Sequence, residues 1–106
     1  MPNLFRVVFT DAARNDIDSI VNYLGWELRS LAAVESFDAA LISAHENLSS
    51  FPTATRVYPT SATKISCRIM PVGSYRMFYV VDEPQGIVQV LRVLHSSQDA
   101  DSIITD

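Results

Sequence analysis

The chain has 106 residues, 48% of them apolar, a formal net charge of −4 and a single cysteine. That length fits one domain around one core and leaves no room for a second. No apolar run approaches the ~18–20 residues of a membrane span, the start Met1-Pro2-Asn3-Leu4-Phe5-Arg6 lacks a charged head followed by a long apolar stretch, and Cys67 alone makes neither an internal disulfide nor a multi-cysteine metal site.

Phe5-Arg6-Val7-Val8-Phe9 reads as a first strand, and Thr10 is a plausible N-cap for the helix that follows. In that helix Ala13, Ile17, Ile20, Val21 and Leu24 repeat along one face, while Arg14, Asn15, Asp18 and Asn22 fall elsewhere. Gly25 is the candidate stop, and Trp26 is expected to pack over the turn, with exposure as a partner contact the alternative. A second helix is predicted from about Ser30 to Ser49, with Val34, Phe37, Leu41, Ala44 and Leu48 spaced by three or four. Two helices joined by a short link form an antiparallel hairpin that lays its apolar stripe on a sheet.

After Phe51-Pro52 the composition changes, and residues 53–63, rich in Thr, Ser and Pro, read as a loop. Strands are predicted near Lys64–Met70, Tyr75–Val81 and Ile87–Leu94, separated by breaks with Pro71 and Gly73, then Pro84 and Gly86. Breaks this short make an antiparallel meander. Cys67 falls in the first of these strands as a core residue. The order is β-α-α-β-β-β, an α+β fold with the helical hairpin on one face of a mostly antiparallel four-stranded sheet. Residues 1–106 form one domain, and 96–106 are its short acidic C-terminal tail.

Charge is distributed unevenly. Residues 1–52 carry Arg6, Arg14 and Arg29 against seven acids, a net of −4, whereas residues 53–95 carry Arg56, Lys64, Arg68, Arg76 and Arg92 against Asp82 and Glu83, a net of +3. An acidic helical layer and a mildly basic sheet follow, with the sheet as the face for an anionic partner. Arg76 stands in the middle of the greasy run Tyr75-Arg76-Met77-Phe78-Tyr79-Val80-Val81, where a guanidinium needs water, an acid such as Asp82, or a phosphate or carboxylate partner. His95 ends the last strand. His45-Glu46 lacks a second histidine four residues on, so it reads as a solvated helix face, and Gly25, Gly73 and Gly86 form no phosphate-binding loop. No cofactor or metal motif is present in the sequence.

These elements in this order resemble the RelE/ParE superfamily of toxins. The resemblance rests on Thr10-Asp11-Ala12-Ala13, on Asp16-Ile17-Asp18-Ser19-Ile20-Val21-Asn22-Tyr23-Leu24, and on Leu48-Ser49-Ser50-Phe51-Pro52 closing the second helix. It also rests on Arg68 with Tyr75-Arg76-Met77-Phe78-Tyr79-Val80-Val81-Asp82, and on Val93-Leu94-His95 followed by Gln98-Asp99. It spans about Leu4 to Asp99 and implies a cytoplasmic toxin of a bacterial type II toxin–antitoxin (plasmid stabilisation) module, neutralised by a cognate antitoxin.

Within the superfamily, ParE-like members poison DNA gyrase and RelE-like members cleave mRNA on the ribosome. Cleavage through a ribose 2′-hydroxyl needs a base, an acid and positive charge at the phosphate. By resemblance, Arg76 and His95 are the catalytic candidates under the RelE-like reading, with a hydroxyl from Tyr75 or Tyr79, and the binding candidates are Arg68, Tyr75, Arg76, Tyr79 and Arg92. No Arg, Lys or Tyr follows His95, where nuclease members commonly supply further bases and a tyrosine, and Gln98 stands where both branches often carry an arginine. An acidic chain with one lysine is poorly equipped to dock on ribosomal RNA. The ParE-like reading is therefore preferred, with ribosome-dependent cleavage and a non-toxic antitoxin-binding module as alternatives.

Overall fold

A computed structural model describes residues 4–58 and 66–104. Strand β1 (Arg6–Phe9) leads into helix α1 (Asp11–Asn22), a π-helical turn over Tyr23–Glu27 and helix α2 (Leu31–Ser50). Strands β2 (Arg68–Val72), β3 (Tyr75–Asp82) and β4 (Ile87–His95) follow, then a four-residue helix α3 (Ala100–Ile103). The sheet order is β1-β4-β3-β2, antiparallel between β2, β3 and β4 and parallel between β1 and β4. The α+β architecture and the β-α-α-β-β-β order are those the sequence predicts.

Alternation along the strands divides the side chains between two cores. On the helical side, Ala13, Ile20 and Leu24 from the first helical segment and Phe37, Ala44 and Leu48 from α2 pack on Met77, Tyr79, Val88, Val90 and Val93. On the other side, Cys67, Ile69, Phe78 and Leu94 are covered by Ala100 and Ile104, with Tyr58, Leu91 and Ile103 packed around them. The segment after β4 thus roofs the face that the helical hairpin leaves open.

Strand β2 starts later than the pattern predicts and runs through Pro71, while Lys64 and Ile65 lie outside the described residues. Proline is tolerated because β2 is an edge strand with one partner. The turn to β3 is Gly73-Ser74, where Gly73 takes the positive φ (60°) that two-residue hairpins demand.

Two expectations about the hairpin tip are corrected. Gly25 does not stop the first helix; the chain widens into the π-helical turn, closed by Leu28 N–H donating to Tyr23 O at 3.0 Å. The reversal falls on Arg29, left-handed at φ 49°, with Ser30 N–H reaching back to Leu24 O at 3.0 Å. Ser30 then caps α2, its Oγ accepting Ala33 N–H at 3.1 Å. Trp26 does not pack over the turn. The widened turn keeps Leu24 in the core and leaves Trp26 78% exposed.

The junction between α1 and β4 is held by a cluster of side-chain hydrogen bonds. β1 ends opposite Val90, and β4 bulges at Leu91, where Phe78 faces Arg92 while Tyr79 faces Val90. Beyond that point the sheet has no strand beside β4 on the β1 side, and α1 supplies the partners instead. Thr10 donates its N–H to Val90 O (3.0 Å) and its hydroxyl to Leu91 O (2.8 Å), while the same hydroxyl oxygen accepts Ala13 N–H and caps α1. One turn on, the Asp16 carboxylate accepts Val93 N–H at 2.9 Å and both Arg92 Nε and Nη2, at 2.7 and 2.8 Å. A second polar anchor holds the loop after α2: the buried Tyr79 hydroxyl donates to Pro52 O at 2.6 Å and also meets Thr55 Oγ1.

Removing the Asp16 carboxylate leaves a part-buried guanidinium and a strand amide without acceptors. Asp16→Ala is expected to lower the unfolding free energy by about 3 kcal/mol, and Asp16→Asn, which keeps an acceptor for Val93, by about half as much. Urea denaturation followed by circular dichroism measures both, and equal losses would show that the negative charge, not the acceptor, is what counts. Burial pushes the Cys67 thiol and the Tyr79 phenol above their ordinary values of 9.0 and 10.0. Above about pH 9 the unfolded chain therefore loses protons that the folded chain keeps. Stability is expected to be full below that pH and to fall as pH rises through these ionisations, by up to about 1.4 kcal/mol per pH unit for each group. Denaturation midpoints at pH 8, 9.5 and 11 check the sign, and Tyr79→Phe should flatten the upper part of the curve.

Candidate functional site

His95 and Arg76 come from adjacent register positions: Tyr75 lies opposite His95, and Arg76 opposite Leu94. Neighbouring residues of a strand point to opposite faces, so the sheet itself separates these two side chains. Tyr75 and His95 belong to the helical side. The Tyr75 ring stands edge-on to Phe37 and to His95, each at 5.3 Å between centroids. With Tyr23, Ser19 and Ser36 they line a cleft of about 750 Å³ between the helical hairpin and the β2–β3 turn, and among the described residues no Asp, Glu, Lys or Arg lines it.

Arg76 lies on the opposite face. Its guanidinium carbon is 5.2 Å from the centroid of Phe78, and Nη2 donates to Gln98 O at 3.1 Å, while Nε is buried with no hydrogen-bond partner. Arg76 does not pair with Asp82, whose carboxylate instead accepts from Gln85 N–H at 3.2 Å and Gln85 Nε2 at 2.9 Å. The turn after β4 supplies one partner to Arg76, the Gln98 carbonyl.

The other sequence-predicted residues are likewise engaged within the chain. Arg68 donates to the Thr53 and Thr55 carbonyls and so ties down the loop after α2, and Arg92 is held by Asp16, which raises its already high pKa. Tyr79 is fully buried. Three arginines of the mildly basic sheet thus have internal partners. That basic excess is not displayed as a row of free cations.

Protonation sets what the cleft can do. Burial, reinforced by the nearby Tyr23 phenol, holds the Tyr75 hydroxyl above the usual phenol range, so at neutral pH it is a donor and not a base. His95 Nδ1 accepts Ser97 N–H at 3.1 Å and lies 2.7 Å from Ser97 Oγ, which leaves Nε2 to carry the ring proton. Its own backbone N–H donates to Gln98 Oε1 at 2.7 Å. Gln98 therefore closes the turn after β4 through its side chain and holds Arg76 through its carbonyl. A site built this way offers hydrogen-bond donors and aromatic surface and, among the described residues, no Lys or Arg lining the cleft with His95 to stabilise a developing phosphate charge.

Sequence reasoning missed two features. The Thr10–Asp16 clamp is invisible to periodicity, because Asp16 sits beside the apolar face of α1 as one more helix acid. The exposed apolar tip was detectable: Trp26, Leu28 and Leu31 fall outside both helical repeats. Among the described residues, no group of three or more His, Cys, Asp or Glu side chains is placed to hold a metal ion.

A family model described as the ParE toxin of the type II toxin–antitoxin system parDE matches residues 7–100. No curated protein sequence matches the chain. Among solved structures, the chain is similar to one in the RelBE2 toxin–antitoxin complex of Mycobacterium tuberculosis, with 27% identity, a TM-score of 0.55, and coverage of 87% of this chain and 98% of that one. It shares its fold with a chain of the chromosomal ParDE system of Pseudomonas aeruginosa (17% identity, TM-score 0.62, coverage 88% and 97%). The same holds for a chain of the intact RelBE complex of Escherichia coli (16% identity, TM-score 0.54, coverage 89% and 99%). Because the family model covers nearly all of both cores, from β1 to the start of α3, the chain belongs to the ParE toxin family of type II toxin–antitoxin systems, within the RelE/ParE superfamily.

Proposed function

We propose that this toxin acts in the cytoplasm as a ParE-like inhibitor that arrests growth by binding DNA gyrase, and that a cognate antitoxin encoded with it neutralises it. The observation that carries this reading is the separation of Arg76 from His95 by the sheet. A ribonuclease of the RelE type needs its phosphate-binding cation and its acid/base group on one substrate, within hydrogen-bond reach of adjacent atoms. Here His95 lies in a cleft that no Asp, Glu, Lys or Arg among the described residues lines, and Arg76 lies on the other face, bonded to the Gln98 carbonyl. The lack of any Arg, Lys or Tyr after His95 and the acidic net charge support the same reading.

Ribosome-dependent mRNA cleavage is the second reading, favoured by the 27% identity to a chain of a RelBE2 complex. The two readings assign opposite weights to His95. A binding toxin has no proton transfer to lose, whereas a nuclease depends on one.

Induction in a bacterial host is expected to damage DNA and to inhibit supercoiling by purified gyrase, with ribosome-bound mRNA left intact; codon-dependent cuts in the ribosomal A site would overturn the assignment. His95→Gln is expected to leave growth arrest unchanged at matched soluble expression. Arg76→Ala should act only through folding, costing on the order of 1 kcal/mol from the lost contact with Gln98 O. If mRNA is the target, the same arginine variant should instead lose about a hundredfold in cleavage rate. Circular dichroism on each variant separates loss of fold from loss of function.

A further inference from the structure

The roof formed by the segment after β4 covers one end of the second sheet face. Its contacts gather over Cys67, Ile69, Phe78 and Leu94, with Leu91 packed at their margin. At the other end, strand alternation turns Arg6 and Val8 of β1, Ile87 and Gln89 of β4, and Val80 and Asp82 of β3 away from the helical core, and none of the six belongs to either buried cluster. With Glu83 they line a shallow depression of about 750 Å³. Arg6, Glu83 and Gln89 are exposed, and Val8, Val80 and Ile87 are half-buried.

Register fixes the layout of this patch. Arg6, Ile87 and Asp82 form one row across the sheet, and Val8, Gln89 and Val80 form the next, with β4 running down the middle. Of the described residues that line the depression, Arg6 on one flank is the sole cation, and Asp82 and Glu83 on the other flank are the acids. The flanks are two strand spacings apart, about 10 Å, which is too far for an ion pair within one chain. The single ion pair among the described residues is Arg92–Asp16. Asp82 bonds only to the neutral Gln85, which leaves its charge uncompensated.

A half-turn about an axis lying along β4, between two such faces, exchanges the flanks. Arg6 of one protomer then stands opposite Asp82 and Glu83 of its partner, and the same contact is made a second time in return. Val8 stands opposite Val80, while Ile87 and Gln89 meet their own counterparts, the glutamine amides supplying both donor and acceptor. A surface that complements itself under a two-fold rotation is what an isologous dimer requires. A polyanion, by contrast, meets one cation beside two acids. We propose that the uncovered end of the sheet is a homodimer face, and that its occupant is a second copy of this chain. The helical hairpin and the cleft beside Tyr75 and His95 lie on the other side of the sheet, so dimerisation leaves both free. The proposal goes beyond the reading of the toxin's target and does not depend on it.

The test measures the mass of the full chain, made without its antitoxin by cell-free synthesis, by sedimentation equilibrium. A patch three strands wide is smaller than a standard interface, so a monomer–dimer equilibrium with a Kd of about 10–100 µM is expected. Two charge variants probe the face: Arg6→Glu, and Asp82→Asn with Glu83→Lys, in which the asparagine keeps an acceptor for Gln85 N–H. Each sets like charges opposite one another, and each is expected to weaken self-association by about tenfold or more, with circular dichroism unchanged. An equimolar mixture of the two variants restores opposite charges at both contacts and is expected to recover the dimer mass. Mixing does not rescue chains that are merely destabilised. An unmodified chain that stays monomeric to about 500 µM overturns the proposal. So does a dimer that persists in both variants, or one that mixing fails to restore, because another face would then hold it. If the unmodified chain is monomeric and the variants no longer co-elute with the antitoxin, the face belongs to the antitoxin and the proposal fails.

Discussion

One carboxylate joins the two layers of this protein. Asp16 stands on α1 where β1 has run out and β4 continues, and it substitutes for the missing strand by accepting Val93 N–H while holding Arg92 bidentately. With Thr10 bonded to Val90 and Leu91 at the N-terminus of α1, it fixes the angle at which α1 leaves the sheet. That angle decides where the hairpin lands, and so where the cleft between the hairpin and the β2–β3 turn opens. The bulge at Leu91 belongs to the same device, because it turns Arg92 toward the helix even though its register partner, Phe78, faces the second core. A sheet that needed a longer β1 to cover β4 would place α1 further along, and the aromatic wall of Tyr75 and His95 would face a different helix turn.

Both faces of the sheet are in use, and they are used differently. The helical side carries the larger core and an uncharged cleft at its open end. The other side is closed by a short segment in which Ala100 and Ile104 bury themselves over Cys67, Ile69, Phe78 and Leu94. Arg76 sits beneath the approach to that roof, against an aromatic ring and a backbone carbonyl. Its buried, unpartnered Nε shows that the roof desolvates the guanidinium without satisfying all of it. Such an arrangement favours order in the C-terminal segment more than recognition of an outside anion.

Most of the fold was legible because its signals were local and periodic. The α1 face from Ala13 to Leu24 and the α2 face from Val34 to Leu48 pack as their spacing requires, and the Thr10 cap and the Gly73 turn follow from elementary backbone chemistry. Gly25 misled because glycine is the commonest helix stop, whereas here an arginine takes the left-handed position, and a Cβ added at Gly25 would meet Val34 only at an ordinary contact distance of 3.7 Å. The end of β2 was missed because Pro71 reads as a breaker unless the strand is known to be an edge. The site was harder still. Arg76 and His95 attract attention as polar residues in apolar strands, but whether they meet depends on the parity of register positions and on where the chain goes after β4. Neither is encoded in residue type. Arg68 and Arg92 look like a basic face in sequence, and only tertiary contacts reveal that each already has a partner.

The exposure of Trp26 has a practical corollary for anyone following the folding of this protein. It is the sole tryptophan of the chain and already sits largely in water in the native state. Its emission spectrum therefore differs little between the folded and unfolded chains, and its response to a collisional quencher is near its maximum before denaturant is added. A melting curve recorded by tryptophan fluorescence would understate the transition or show fraying of the hairpin tip alone. The cooperative event is better observed through near-ultraviolet absorbance of the buried Tyr79, whose ring moves from a closed core into solvent when the sheet comes apart.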